Sequence, residues 1–498
     1  VTAGLPRRSL LLGTAAAALA AGPLARTAFA ATTAQTPKVL VIGLDGAMFN
    51  RIKDADAPNL DALMAGGLSA ASSLYANPMA ETSSGPGWTT IATGVWPDKH
   101  NVKDNNFTAP NFTAYPDWLT RVERADSAFS TYVVASWAPI PNTIYSATVD
   151  TRVATPSAEY DAGTTSRAVA RIRDTNPDAV FVQLDNVDHA GHASGSASQA
   201  YLDAIKGVDG QVGQIVAAVR GRATYAQEDW LIMVTADHGH TPTGGHGGST
   251  WEERQTFVIA NGGGLPAGSV RNDVRMVDIA PTALAHLGIA IDPAWNLDGA
   301  PIASLTPDAF DALRPQLTGR VDETGIAAGV IGFTHTAPTG WSVDNSAMGT
   351  GGVTEWRGWS FTTDEFWTKT QRDQYRELNV RSRNVFAVAD SDEWADKSFS
   401  GNYDTTLVSP AYPVSGLATV KVEYTCYYQQ EGAQTAKVLA SWNGGAPVTL
   451  ASYSSLVNGR QTHTLTVPAG ATNLQLRFRY TGSNNWYWVV DNVRVYGV

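Results

Sequence analysis

Cysteine is nearly absent: Cys426 is the single one in 498 residues, so no intrachain disulfide can form and no thiolate cluster can hold zinc or an iron–sulfur centre. Charge is sparse as well. Asp, Glu, Lys and Arg make up 16% of the chain, with a net charge of -11 and a pI near 5.3. That balance gives no basic surface for wrapping a nucleic-acid duplex, although a local metal site can still accept a phosphate. Long apolar runs are also missing. The run Leu10 to Ala21 is shorter than the ~20 residues a bilayer crossing needs and is closed by Gly22-Pro23, so no membrane span is expected in the mature chain. Without disulfides the chain must rest on its core, and 498 residues with 43% hydrophobic content suffice for two or three domains.

Residues 1–30 read as a targeting segment. Arg7-Arg8 precede the apolar run, and Ala28-Phe29-Ala30 is a small-x-small cleavage site. This looks like a bacterial twin-arginine export signal, from which a secreted, extracellular protein is expected. A route that exports folded proteins suits a chain that needs no disulfide.

The most informative stretch is Thr235 to Gly248. It holds Asp237, His238, His240 and His246 among glycines, directly after the strand-like Trp230-Leu-Ile-Met-Val234. Glycine lets backbone turn at positive φ and approach a ligand, while neutral imidazole and carboxylate are common ligands of divalent transition metals. Two further strand-like runs deliver similar groups. Phe181-Val-Gln-Leu-Asp185 leads into Asn186-Val-Asp188-His-Ala-Gly-His192, and Lys38-Val-Leu-Val-Ile-Gly-Leu44 ends in Asp45-Gly46. Three buried strands with acidic or imidazole side chains at their carboxyl ends describe a ligand site on an open α/β sheet.

Between these runs the spacing predicts helices. Ala57 to Gly67 begins with a first-turn proline and stops at glycine, and Ser198 to Val219 places Tyr201, Ile205, Val208, Val212, Ile215 and Val219 at intervals near 3.6. Further helices are expected near Thr165–Arg173 and Val277–Gly288, and strands at Thr131–Ser136 and Gln255–Ala260. His286, on the last helix, reads as structural. Strands alternating with helices imply a doubly wound, mostly parallel sheet over residues 31–318. Past about residue 318 the texture changes to short alternating strands, including Thr419–Thr425, Ala436–Trp442 and Asn473–Tyr480. Leu474, Leu476, Phe478 and Tyr480 would face one way and Gln475, Arg477 and Arg479 the other, as in an all-β, jelly-roll-like sandwich over residues 327–498. Of its tryptophans, Trp341, Trp356, Trp359, Trp367, Trp394, Trp442, Trp486 and Trp488, most are expected in the core, with a sugar-binding platform or cell-surface contact as the alternative. Asp390, Asp392 and Asp491 are candidate ligands of a structural calcium ion.

The segment Glu81 to Gly94 is rich in glycine and hydroxyls, and Trp88 to Ala92 reads as the beginning of a helix, whose free N–H groups would favour an anion. With these motifs in place, residues 38 to 290 resemble the alkaline phosphatase superfamily, and within it the type I phosphodiesterase and nucleotide pyrophosphatase branch. The resemblance rests on Gly43-Leu-Asp45-Gly, Ala57-Pro-Asn-Leu-Asp-Ala-Leu63, Thr90-Ile-Ala-Thr-Gly-Val-Trp-Pro-Asp-Lys-His100, Asp188-His-Ala-Gly-His192, Asp237-His-Gly239 and Gly245-His-Gly247. It implies two divalent ions, zinc by family habit. One would be held by Asp188, His192 and His246, the other by Asp45, Asp237 and His238 with Ser84 bridging toward it. It also implies that Ser84 is the nucleophile of a double in-line displacement on phosphorus, through a phosphoseryl intermediate. His189 and His240 match no ligand position. Asn105, twenty-one residues after Ser84, falls where the phosphodiesterase branch donates a hydrogen bond to phosphate.

The substrate is then expected to be a small phosphate diester or pyrophosphate, with a phosphomonoester as the alternative. A sulfatase shares the sheet but needs arginine where Ser84-Gly-Pro86-Gly-Trp88 has tryptophan. A non-catalytic surface-binding protein is the rival from another class, and the intact ligand set argues against it. Because every candidate ligand precedes residue 250, the sandwich is expected to be dispensable for chemistry.

Overall fold

The computed structural model describes residues 35–498, and the targeting segment expected over 1–30 lies outside them. The first half is a mixed eight-stranded sheet. Its strands are β1 (Thr36–Leu44), β2 (Leu68–Ser73), β3 (Thr131–Ala135), β4 (Thr151–Ala154), β5 (Ala179–Leu184), β6 (Glu228–Thr235), β7 (Gln255–Asn261) and β8 (Ser269–Arg271). Their order is β4-β3-β5-β1-β6-β7-β2-β8. All neighbouring pairs are parallel except those of β7, which runs antiparallel to both β6 and β2. The residues between β6 and β7 form the His-rich loop instead of a crossover helix, so the chain returns antiparallel.

The helices are α1 (Phe49–Asp54), α2 (Pro58–Ala65), α3 (Ser84–Thr93), α4 (Pro97–His100), α5 (Trp118–Ala125), α6 (Tyr160–Asp174), α7 (Asn186–Ser194), α8 (Gln199–Arg220), α9 (Trp251–Arg254) and α10 (Ile279–His286). Strand alternation divides them between two layers. Leu40 and Ile42 of β1 point into a core shared with α1, α2, α6 and α8, where all six apolar residues expected on α8 are buried. Val39 and Val41 point the other way, to α3, α5 and α10. Both faces of the sheet are therefore covered, as parallel strands require.

The second half comprises β9 (Phe333–Thr334), β10 (Ser342–Asp344), β11 (Thr350–Gly351), β12 (Ser360–Thr362), β13 (Phe386–Asp390), β14 (Phe399–Ser400), β15 (Tyr403–Pro413), β16 (Thr419–Tyr428), β17 (Thr435–Trp442), β18 (Val448–Tyr453), β19 (Val457–Thr466), β20 (Asn473–Gly482) and β21 (Tyr487–Gly497). They build a six-stranded sheet, β19-β16-β21-β13-β12-β9, a five-stranded sheet, β10-β15-β20-β17-β18, and a small β11-β14 pair. On β20, Leu474, Leu476, Phe478 and Tyr480 are buried, as their spacing predicts. Two short helices, α11 (Asp364–Thr370) and α12 (Ser391–Ala395), complete it.

Six of the eight tryptophans named above are buried, and only Trp442 and Trp486 reach the surface in part. The structure does not gather the proposed calcium ligands. Asp390 pairs with Arg376 and accepts Trp367 Nε1–H, and its strand partner is Tyr487, so Asp491 lies four residues further along β21, roughly 13 Å away. Arginine already fills the role a cation would have had.

The two halves share one hydrophobic core that runs from Trp88, Trp118 and Leu284 to Trp359, Phe386 and Trp488. Buried polar contacts join them too. Arg254 donates to Asp364 at 2.8 Å, Ser73 to the same carboxylate at 2.7 Å, Arg275 to the Ser382 carbonyl at 2.8 Å, and Arg383 to Asp278 at 2.7 Å. An independent, removable sandwich does not fit these contacts.

Candidate metal centre and nucleophile

The sheet order explains the site. β1 lies between β5 and β6, with Leu44 opposite Leu184 and Gly43 opposite Thr235, so the residues following these strands emerge side by side at the carboxyl edge. Asp45 follows β1, Asp237 and His238 follow β6, and α7 begins directly after β5, which places Asp188 and His192 one turn apart on one helix face.

Asp45, Asp237 and His238 are sealed in the interior. Asp45 Oδ2 accepts from Trp88 Nε1 and Gln183 Nε2, both at 2.9 Å, and Asp237 Oδ1 accepts from the Gly46 N–H at 3.1 Å. The other oxygens, Asp45 Oδ1 and Asp237 Oδ2, are buried with no hydrogen-bond partner. They lie 3.5 and 3.3 Å from His238 Nε2, which is also 3.4 Å from Ser84 Oγ. His238 Nδ1 faces its neighbour's carbonyl, Gly239 O, at 3.1 Å, which holds the proton there and leaves Nε2 as a free lone pair. Burial, reinforced by His246, holds the His238 imidazole well below its ordinary range. Burial and then the neighbouring carboxylates, Asp237 first, push the Asp45 carboxyl well up, and burial with Asp188 does the same to Asp237. Orphaned carboxylate oxygens facing an imidazole lone pair form a donor set that could hold a cation.

The second group is more open. His192 Nε2 is 3.4 Å from Asp188 Oδ2, and His246 Nε2 is 3.5 Å from Asp188 Oδ1 and 3.0 Å from His192 Nε2. His246 Nδ1 is fixed on the Thr82 carbonyl at 2.8 Å. Burial pushes the Asp188 carboxyl up, but the hydrogen bond from His240 and the surrounding imidazoles outweigh it and hold the group below the usual carboxylate range. The edge length of a tetrahedral site with ligand distances near 2.0 Å is about 3.3 Å. Pairs inside both expected ligand sets, at 3.0 to 3.5 Å, fit that edge. All six expected ligands thus converge in two adjoining groups.

Ser84 is the first residue of α3, earlier than the helix start the sequence suggested, so its hydroxyl sits at the positive end of the helix. Asn105 comes to the same place: its Oδ1 accepts the Gly85 N–H at 2.6 Å, which orients the amide and leaves Nδ2–H2 available. Asn105 is exposed at the rim and not buried. His189 stays outside both groups, with its ring against Tyr160, and His286 holds the Asp229 carbonyl at 2.8 Å.

Several residues at the site escaped the sequence reading. Trp88 and Gln183 hold Asp45, and Gln183 also reaches Asp185 Oδ1 at 3.1 Å. Asp185, bonded by Tyr160, approaches Asp45 and Asp188. Asp161 accepts the backbone N–H groups of Asp185 and Asn186, both at 2.8 Å, and so fixes the start of α7. His240, already singled out in the sequence as matching no ligand position, contacts Asp188 directly. The one available signal was Gln183, a polar residue within an otherwise apolar strand.

A mostly parallel sheet that offers two adjoining carboxylate–imidazole groups and a helix-borne serine at its carboxyl edge has the layout of the alkaline phosphatase superfamily. The chain belongs to the type I phosphodiesterase / nucleotide pyrophosphatase family, whose model matches residues 39–142 and 113–372. It is 28% identical over 234 residues to ectonucleotide pyrophosphatase/phosphodiesterase family member 3 of Rattus norvegicus, covering 42% of this chain and 25% of the rat protein. It is 23% identical over 229 residues to family member 7 of Mus musculus, covering 41% of this chain and 50% of the mouse protein. The matched region thus spans between a quarter and a half of these relatives. Among solved structures, an inactive murine ectonucleotide pyrophosphatase / phosphodiesterase 5 in complex with AMP aligns with a TM-score of 0.44 at 13% identity, over 52% of this chain and 96% of that one.

Proposed function

We propose that the chain is an exported phosphoric ester hydrolase that cleaves phosphodiester or pyrophosphate bonds through a phosphoseryl intermediate, with two divalent cations as cofactors. The observation that carries this reading is the pair of orphaned oxygens, Asp45 Oδ1 and Asp237 Oδ2, facing His238 Nε2 beside the Ser84 hydroxyl. Zinc suits a mixed set of carboxylates and neutral imidazoles. Asp188, His192 and His246 would hold one ion and Asp45, Asp237 and His238 the other. Such ions, when bound, supply Lewis acidity that neutralises phosphoryl oxygens and acidifies a hydroxyl or a water.

Ser84 Oγ attacks phosphorus from one side as the bond to the leaving oxygen breaks on the other, the serine proton passing to solvent and the leaving oxygen taking one up. Water then attacks the phosphoserine, the Oγ–P bond breaks and Ser84 is restored. The amino terminus of α3 faces the charge that builds up on phosphorus. Asn105 Nδ2 donates to a non-bridging oxygen, with the amide oriented by Gly85. Among the described residues, no lysine or arginine bonds Ser84, Asn105 or the six ligand residues. A neutral donor without a cationic side chain favours the monoanionic diester over the dianionic monoester.

Zinc-loaded protein should hydrolyse an aryl phosphodiester faster than the aryl monoester, and Ser84→Ala should turn over neither. A preference for monoesters by orders of magnitude would replace the diester reading with the phosphomonoesterase one. Mass spectrometry showing an aldehyde at position 84 in the purified protein would replace both with a sulfatase.

A further inference from the structure

Thr82, two residues before Ser84, is fully buried and has no part in the mechanism above. It nevertheless holds three consecutive residues of the His-rich loop. Its carbonyl accepts His246 Nδ1–H at 2.8 Å, its Oγ1 accepts the Gly247 N–H at 3.0 Å, and the same hydroxyl donates to the Gly248 carbonyl at 3.0 Å. The loop needs such a hold. Gly244, Gly245 and Gly247 have φ of 115°, 87° and 112°, and a Cβ added at Gly245 or Gly247 would meet nothing within 4 Å. Glycine backbone that packs against nothing keeps little shape of its own, so hydrogen bonds must fix where the His246 ring stands. Upstream, Thr241 closes the turn through the Gly245 carbonyl at 3.0 Å and the Gly244 carbonyl at 2.6 Å; downstream, Glu253 Oε1 accepts the Gly248 N–H at 2.8 Å. Between these two anchors Thr82 supplies the third.

The same segment also grips the opposite side of the site. The Glu81 N–H donates to the Lys103 carbonyl at 2.9 Å and the Gly85 N–H to Asn105 Oδ1 at 2.6 Å. We propose that Thr82 is a positioning residue that clamps the His246 loop to the nucleophile segment, so that the open cation group and Ser84 form as one unit. It ligates nothing and touches no substrate; it acts by setting His246 Nε2 toward Asp188 and His192. The inference rests on the two-cation reading and adds to it the residue that links one cation to the nucleophile. Outer hydrogen bonds of this kind commonly change metal affinity about 10–100-fold.

Two variants separate the possibilities. Thr82→Val keeps the size and the carbonyl but removes the hydroxyl, whereas Thr82→Ser keeps the hydroxyl. The readouts are hydrogen exchange of the Gly247 amide in the metal-free protein, by mass spectrometry of the peptide that contains it, and the zinc affinity of each site, by competition with a chromophoric chelator. In Thr82→Val the Gly247 amide should exchange about 3–10-fold faster, and one of the two bound equivalents should weaken about 10–100-fold while the other is unchanged. Thr82→Ser should stay within a few-fold of wild type in both. Thr82→Ala takes the place of the Val variant if circular dichroism shows the latter unfolded. Wild-type zinc affinity without the hydroxyl overturns the inference, as does a Ser variant as weak as Val. Equal weakening of both equivalents overturns it too, because that marks general damage to the fold. Wild-type protein that binds fewer than two equivalents defeats the two-cation reading itself, whereas unchanged exchange at Gly247 with two equivalents bound defeats the clamp alone.

Discussion

The two candidate ligand groups use the same residue types and differ in where the fold puts them. Asp45, Asp237 and His238 emerge from adjacent central strands with side chains 0–1% exposed, while Asp188 and His192 ride on α7 with side chains 14% and 54% exposed. In the sealed group each carboxylate has one oxygen pinned by N–H donors and the other left bare, so its geometry is set before any ligand arrives. The open group depends on a helix, a loop and exposed rings. A sealed set cannot relax when one member is lost, whereas an open one can borrow water.

The sharpest test removes one member of each. Asp237→Ala should abolish retention of one metal equivalent and lower kcat/KM for an aryl phosphodiester by about 1,000-fold, with added zinc restoring little. His192→Ala should lose less than that and recover with excess zinc. Equal, equally rescued losses would erase the distinction between the groups.

Next in size is the support of the open group's loop. Arg254 closes α9, just after the loop that carries His246, and it is held from the other domain by Asp364 and by the Thr368 hydroxyl at 3.1 Å. Breaking a buried ion pair by removing one partner commonly costs about 3–5 kcal/mol. Asp364→Ala should therefore lower the midpoint of urea unfolding by that much stability, and protein ending near Leu317 should fail to yield soluble, metal-retaining enzyme. A truncated form that keeps wild-type activity would show that the halves are separable after all.

A smaller effect concerns His100 beneath α3. Burial lowers its imidazole from 6.5 to about 3, with Nδ1 accepting the Val102 N–H and Nε2 on the Thr90 hydroxyl. Between those values the unfolded chain binds a proton that the native state refuses, so this contribution to stability is present above pH 6.5 and is lost as pH falls below it. The slope is at most about 1.4 kcal/mol per pH unit. The stability of His100→Gln should fall less steeply between pH 6 and 5, by close to one proton. Parallel curves would mean that the native His100 titrates normally.

The smallest effect belongs to the rim. Because Asn105 is exposed, its hydrogen bond is worth about 0.5–1.5 kcal/mol, and Asn105→Ala should lower kcat/KM for the diester by about 3–10-fold. Unchanged kinetics would remove Asn105 from the site.

What could be foreseen follows the same division. The candidate ligands were legible because Asp45, Asp237 and His238 follow apolar strands, Asp188 and His192 stand at an i, i+4 spacing, and His246 sits between glycines in Gly245-His-Gly247, all local patterns. The supports of Asp45 were not, since Trp88 and Gln183 meet it only because β1 is threaded between β5 and β6. β2 was missed for a related reason: Leu-Ser-Ala-Ala-Ser-Ser has no strand preference of its own and takes its form from β7 and β8. The sandwich strands were readable from period two. Its dependence on the first half was not, because Arg254 and Asp364 stand 110 residues apart and nothing local in either announces the other.

Gly43 carries a last consequence. A Cβ there would collide with the indole of Trp88, the same indole that donates to Asp45. The two positions are therefore not free to drift separately over evolutionary time. Any side chain at 43 forces the indole to shift or be replaced, and so disturbs one of the two hydrogen bonds that aim the aspartate. In a descendant of this chain, alanine at 43 would be the trace of an Asp45 support already rebuilt.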